Sequence, residues 1–306
     1  MSKTKQQTNS PAESLQSAVE SRGCLYVVGT PIGNLEDITL RALRILKEVD
    51  LIACEDTRHT QKLLQHYDIH KQLVSYHEHN EMTRSSELLI KLEQGAKIAL
   101  VSDAGMPLVS DPGYRLVTLC LRHKIPVIPI PGPCALLAAL AACGLPNEEF
   151  LFVGFLPART GERRRTLERL RLEDRTVIVY EAPHRIQESI ADALEILGER
   201  PACLAREVTK VHEEFRRAKL SELLESLKEK PVKGEITLLI GPPDPAQNGA
   251  RAGTSQSLAD RVEELIHQAK LDRKEALKLA ARERGLTRRA AYDELLQSKI
   301  EPYKVH

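Results

Sequence analysis

Three short segments concentrate the residue types that hold small ligands. The first, Val28-Gly29-Thr30-Pro31-Ile32-Gly33-Asn34-Leu35, leaves an apolar run and enters a helical pattern. Backbone N–H groups at such a junction can approach a ligand closely. It has neither the GxGxxG spacing of dinucleotide sites nor the Lys-Ser/Thr of a P-loop, so nucleotide phosphates are not its obvious partner. Taken alone it reads equally well as a tight strand-to-helix turn that needs glycine.

The second segment, Val101 to Gly113, places small residues, Asp103, Asp111 and the prolines 107 and 112 within a dozen positions after an apolar run, too irregular for a plain connector. Asp111 before Pro112 also fits a helix cap. The third, Pro129-Ile130-Pro131-Gly132-Pro133-Cys134-Ala135, starts a helix whose Ala138, Ala139, Ala141 and Ala142 permit close packing. Loops at the carboxyl ends of parallel strands are where α/β sheets bind ligands, so three of them in one domain predict a composite pocket. His77 and His79 stand at i, i+2 and would share a strand face with Glu78 between them, but spacing assigns no third ligand and no metal is expected.

The elements that carry these loops follow from hydrophobic period. Apolar runs at 25–29, 51–54, 73–75, 97–101 and 126–130 read as strands, separated by helical patterns at about 39–48, 57–66, 82–94, 113–123 and 133–143. Strands apolar on both faces and separated by single helices predict a largely parallel, doubly covered sheet. After Pro146 the pattern changes. A run at 150–155, a basic helix, and strands at 175–180, 202–206, 212–219 and 235–240 predict a mixed sheet with hairpin pairing. Helical spacing returns at 258–271, 273–284 and 287–296, with Asp272 and Thr287 as N-caps and Gly285 as a stop. The predicted organisation is a disordered leader (1–22), an N-terminal α/β domain (23–147), a second α/β domain (148–242), a linker (243–257) and a small helical C-terminal domain (258–306).

Composition narrows the class. A chain of 306 residues, 42% hydrophobic and 28% charged, can bury a sizeable core. No apolar run reaches the roughly 20 residues of a membrane span, and residues 1–21 lack a secretory apolar stretch, so the expected location is the cytoplasm. Six cysteines are scattered without a CxxC pair and read as reduced, buried hydrophobes. The net charge of +1 hides local clusters. One is the helix around Arg159, Arg163, Arg164, Arg165, Arg169 and Arg171; the other runs from Lys270 to Arg289 and includes Lys274, Arg288 and Arg289. Both suit RNA phosphates, although interleaved acids also fit a solvated helix face.

The runs GTPIGNLEDIT, EDTR (55–58), SYHEHNE (75–81), SDAGMPLVSDPG, PIPGPCALLAAL, VYEAPHRI (179–186) and AREVTKVHEE (205–214) resemble the tetrapyrrole methylase superfamily. Within it they are similar to enzymes that methylate the ribose 2′-hydroxyl of a cytidine in the decoding region of 16S rRNA. The resemblance covers 24–241 continuously. It implies two α/β domains with a ligand cleft between them, S-adenosylmethionine as cofactor, the small ribosomal subunit as partner, and a homodimer. By motif position the donor would contact Ile32, Ala104, Gly105, Met106, Val109, Cys134, Ala135, Tyr180, Glu181, Val208 and Glu235, with Asp103 and Gly132 in the same loops. Several relatives carry Asp at the position of Met106, and Ser or Thr at that of Cys134, which leaves backbone contacts there.

A ribose hydroxyl must lose a proton on methylation, so a base is required. Glu55, Asp56, Arg58 and Glu78 are the candidates of the first domain, and Glu181, Arg206, Glu207 and Lys210 those of the second. Glu55, Asp56 and Arg58 also read as an ion pair that caps the next helix. Substrate RNA would meet Arg163, Arg164, Arg165, His184, Arg185, Lys274, Arg288 and Arg289. Two other functions stay open from sequence: C-methylation of a tetrapyrrole precursor, and a non-catalytic ribosome assembly factor.

Overall fold

The computed structural model describes residues 23–243, 258–269, 271–283, 286 and 288–297. The expected leader and most of the expected linker, as well as Gly285 and Thr287, lie outside these. The chain divides into two compact units, one ending at Pro242 and one beginning at Pro243.

In the first unit five strands alternate with helices: β1 (Cys24–Val28), α1 (Leu40–Glu48), β2 (Leu51–Cys54), α2 (Thr57–His66), β3 (Gln72–Ser75), α3 (Glu81–Glu93), β4 (Lys97–Val101), α4 (Tyr114–Arg122), β5 (Val127–Ile130) and α5 (Ala135–Cys143). The strands form a wholly parallel sheet in the order β3-β2-β4-β1-β5. Both faces are covered by separate apolar clusters, one around Ile45, Leu46 and Ile52 and the other around Leu88, Leu92 and Leu100. This is why the strands read as unbroken apolar runs rather than alternating ones. Helix starts follow side-chain caps: the Thr39 hydroxyl accepts from the Ala42 N–H (3.1 Å), and Asp56 accepts from the Arg58 N–H (2.8 Å).

The second sheet comprises β6 (Phe150–Phe155), β7 (Thr176–Glu181), β8 (Pro201–Arg206), β9 (Glu214–Lys219) and β10 (Ile236–Ile240), with α6 (Thr160–Arg169), α7 (Ile186–Leu197) and α8 (Leu220–Glu229) between them. Its order is β6-β7-β10-β8-β9, with β6 parallel to β7 and the other pairs antiparallel, the mixed sheet expected from sequence. The strand expected from His212 starts only at Glu214, because 207–213 turns, with Glu207 (φ 50°) and Thr209 (φ 70°) left-handed. Between the two sheets lies α5, whose Leu136, Ala139, Leu140 and Cys143 pack on Ile178, Cys203, Ala205 and Leu239 of the second sheet.

The second unit holds α9 (Leu258–Ala269), α10 (Arg273–Glu283) and α11 (Arg288–Gln297) around Leu258, Val262, Leu265, Ala276, Ala280 and Leu295. Asp272 caps α10 by accepting from the N–H groups of Lys274 and Glu275, each at 2.8 Å. Among the described residues no helix is long and apolar enough to cross a membrane.

Candidate active site

Strands β4, β1 and β5 are neighbours in the sheet, so the three loops read from sequence emerge side by side. The first is the middle one and is fastened to both others. Thr30 and Gly105 exchange backbone hydrogen bonds (2.9 and 3.0 Å), and the Thr30 hydroxyl donates to the Ser102 carbonyl at 3.1 Å. On the other side Gly29 meets Gly132 backbone to backbone: a Cβ on Gly132 would stand 2.8 Å from the Gly29 Cα. Glycine at both positions is a packing requirement here. Beyond β4, the loop after β2 is tied to the second loop, since the Asp56 N–H donates to Asp103 (3.1 Å).

The second sheet supplies the opposite wall. Because β10 runs antiparallel to β7 and β8, Ile236 pairs with both Glu181 and Arg206. The end of β7, the start of β10 and the turn after β8 therefore share one edge. Together the two edges enclose a cavity of about 440 Å³, within the range of small-molecule sites. Ile32, Met106, Val109, Cys134, Ala135, Phe155, Val208 and Ile236 give it apolar surface. Its ionisable carboxylates are Glu55, Asp103, Asp111, Glu181 and Glu235, and no Lys, Arg or His is among the lining residues.

All of the expected donor contacts except Gly132 line this cavity. Gly132 instead packs behind the wall against Gly29. Glu181 lines it through its place in β7, yet its carboxylate is buried and turned inward, accepting from the Ala182 N–H (2.8 Å), the Ser189 hydroxyl (2.6 Å) and Arg185 (2.6 Å). Tyr180 accepts from the Leu136 N–H at 3.3 Å, which ties the second sheet to the third loop, and burial pushes its phenol up to about 12. Phe152 stands edge-on to the same ring and Phe155 packs on it at a tilt.

The carboxylates differ. Burial, with the Asp111 carboxyl close to Glu55 and Asp103, pushes Asp111 up to about 6. Burial and the Asp103 charge also raise Glu55. Asp111 does not cap α4, contrary to the alternative reading: the helix starts at Tyr114 behind Gly113, and Glu81 accepts from the Gly113 and Arg115 N–H groups. Asp56 and Arg58 form the capping ion pair (2.7 Å) on the exposed surface and are not among the lining residues, nor is Glu78. The Arg58 guanidinium holds the Asp56 carboxyl well below the usual range.

His77 and His79 are not on a strand, because β3 ends at Ser75 and His77 enters a turn in which its N–H donates to Asn80 at 2.9 Å. Among the described residues no group of three or more His, Cys, Asp or Glu is placed to hold a metal ion.

Two RNA expectations need correction. Arg163 is 2% exposed and is consumed by Asp192 (2.7 Å) and Glu188 (3.3 Å), which lock α6 onto α7. Arg185 is largely buried on Glu181. Arg164 is partly engaged by Asp192 and Glu195. Arg165, His184 and Lys274 are exposed; the side chains of Arg288 and Arg289 lie outside the described residues. Sequence reasoning missed Phe155, Ala182, Pro183, Gly234, Ile236 and Thr237. Ala182 and Pro183 stand within the VYEAPHRI run, which could have pointed to them; the others carry no local signature and reach the cavity through the register of β6 and β10.

A fold of two such sheets, with an acidic and apolar cavity between their edges, agrees with the family model of the Tetrapyrrole (Corrin/Porphyrin) Methylases, which matches residues 24–224. The chain belongs to that family and is a methyltransferase. Among its relatives is the ribosomal RNA small subunit methyltransferase I of Halalkalibacterium halodurans, 47% identical over 275 residues that cover 90% of this chain and 95% of the relative. The protein of the same name from Escherichia coli O157:H7 is 47% identical over 288 residues, covering 93% and 98%. The crystal structure of uroporphyrin-III C-methyltransferase from Thermus thermophilus, complexed with S-adenyl homocysteine, shares the fold, with a TM-score of 0.51 and 24% identity over 72% of this chain and 97% of that one.

Proposed function

We propose that the protein transfers a methyl group from S-adenosylmethionine to the ribose 2′-hydroxyl of a cytidine in the decoding region of 16S rRNA. The observation that carries the donor is the cavity's lining: apolar walls with carboxylates and no cationic side chain. Such a lining disfavours a phosphate-bearing nucleotide and suits a ligand that carries positive charge beside an apolar purine. When bound, the donor supplies an electrophilic methyl group on a sulfonium sulfur. Ile32, Ala104, Gly105, Met106, Val109, Cys134 and Ala135 would hold it from the first sheet, and Tyr180, Val208 and Glu235 from the second, with Asp103 facing its charge. Gly132 supports this pocket from behind, and Glu181 shapes its edge.

The RNA acceptor is supported by the relatives' shared name over nearly the whole chain. The exposed Arg165, His184 and Lys274 would meet phosphates, with Arg164 adjoining Arg165 and with Arg288 and Arg289 further along the basic stretch that holds Lys274. We assign 23–147 and 148–242 as the two α/β domains, 243–257 as a linker and 258–306 as a helical domain, in a cytoplasmic homodimer that acts on the small ribosomal subunit. The test is transfer of label from radioactive donor to small subunits that lack the modification. Label at a cytidine ribose is expected; donor binding with no transfer to RNA overturns the reading.

A further inference from the structure

The expected bases of the first domain are mostly occupied or misplaced, which raises the question of which carboxylate takes the acceptor's proton. Among the cavity's carboxylates, Glu181 is saturated by its three donors. Glu235 stands on the exposed rim, paired with Lys210 at 3.1 Å. Asp103 accepts the Asp56 N–H at 3.1 Å and faces the donor's charge, and Glu55 sits beside it on the loop after β2, under the influence of the Asp103 backbone N–H. That leaves Asp111. It lies in the cavity wall on the second loop, whose backbone holds Leu108 (φ 71°) and Ser110 (φ 67°) in the left-handed region, a conformation that non-glycine residues adopt at a cost. The Ser102 hydroxyl, which donates to the Ala104 carbonyl at 3.4 Å, lies close enough to favour the ionised form of Asp111.

We propose that Asp111 accepts the proton of the substrate hydroxyl. This rests on the methyl-transfer reading above. In the step, the hydroxyl oxygen forms its bond to the methyl carbon as the carbon–sulfur bond breaks and its electron pair returns to sulfur. The O–H proton passes to the Asp111 carboxylate, and solvent later removes it. Geometry selects the residue, and its electrostatics agree: a carboxylate that titrates near 6 is mostly ionised at neutral pH and more basic than an exposed one. The groups that face it are Glu55 from the loop after β2, Asp103 from the loop after β4 and Tyr180 from β7.

The experiment compares wild type and Asp111→Asn in two measurements: calorimetric binding of S-adenosylhomocysteine, and single-turnover methylation of unmodified small subunits between pH 5 and 9. For D111N we expect S-adenosylhomocysteine binding within about threefold of wild type and a rate lower by at least about 100-fold, without the acid limb of the wild-type profile. A second variant, Ser102→Ala, removes a nearby hydroxyl that favours the ionised carboxylate, so the acid limb should move to higher pH. D111N with a rate within tenfold of wild type and the limb intact overturns the assignment alone. So does loss of S-adenosylhomocysteine binding in step with the rate, or a limb unmoved in S102A. Wild type that binds S-adenosylhomocysteine yet transfers nothing to RNA overturns the acceptor reading, and this assignment with it.

Discussion

The contact between Gly29 and Gly132 allows a perturbation whose size can be worked from the structure. Replacing Gly132 by Ala would place a methyl carbon 2.8 Å from the Gly29 Cα and 3.0 Å from its carbonyl carbon. Carbon atoms pack at about 3.5–4.0 Å, so the first and third loops must part by nearly 1 Å. Overpacking of this kind costs roughly 1–3 kcal/mol. The upper end applies because the obstacle is backbone, which has no rotamer to change. At about 2–4 °C per kcal/mol for a unit of this size, melting should fall by roughly 6–12 °C. The displaced loops form the first-sheet wall of the cavity, so S-adenosylhomocysteine should bind at least about tenfold more weakly, a loss of ~1.4 kcal/mol. Gly161 in α6 is the control, because a Cβ there meets nothing within 4 Å; G161A should be neutral or slightly stabilising. Calorimetry reports both quantities. G132A with melting and affinity equal to those of G161A would refute the packing argument.

Three further outcomes follow from the same structure. Arg163→Met should destabilise by about 3 kcal/mol in urea unfolding, because it removes one partner of a buried ion pair while Arg164 still holds the other Asp192 oxygen; a change near zero would place Arg163 outside the core. Arg165→Glu and Lys274→Glu should each weaken rRNA binding and lower the salt slope by about one unit while leaving S-adenosylhomocysteine affinity alone, and an unaltered slope removes the residue from the interface. The pH dependence of stability has a definite sign at Asp111. Its folded pKa of about 6 lies above the ordinary carboxylate value of roughly 4, so its contribution is fully present below that value and is lost as pH rises through 6. Asp111→Asn should therefore raise the melting temperature at pH 7.5 and not at pH 4, and the opposite pattern contradicts the burial that raises this group.

Much of the site's first half could be read along the chain. The three loops announce themselves because each follows an apolar strand and leads to a helix with clustered glycine and proline, and turn chemistry is local: Gly29 and Gly132 are needed where backbones approach, and Gly105 where φ is positive. The parallel sheet was likewise legible, since strands buried on both faces must be apolar at every position. Motif order carried the family. What sequence alone left open concerns how side chains are spent. Arg163 and Arg165 lie two positions apart in one basic run, yet one is sealed against Asp192, 29 positions away, and the other is exposed. Glu181 and Asp111 look alike as motif carboxylates, but one faces three donors and the other the cavity. Phe155, Gly234 and Thr237 reach the site only through strand register in the second sheet. Local spacing determines turns, strands and caps because those depend on near neighbours. Burial and electrostatic environment depend on partners distant in sequence, and only the tertiary structure decides them.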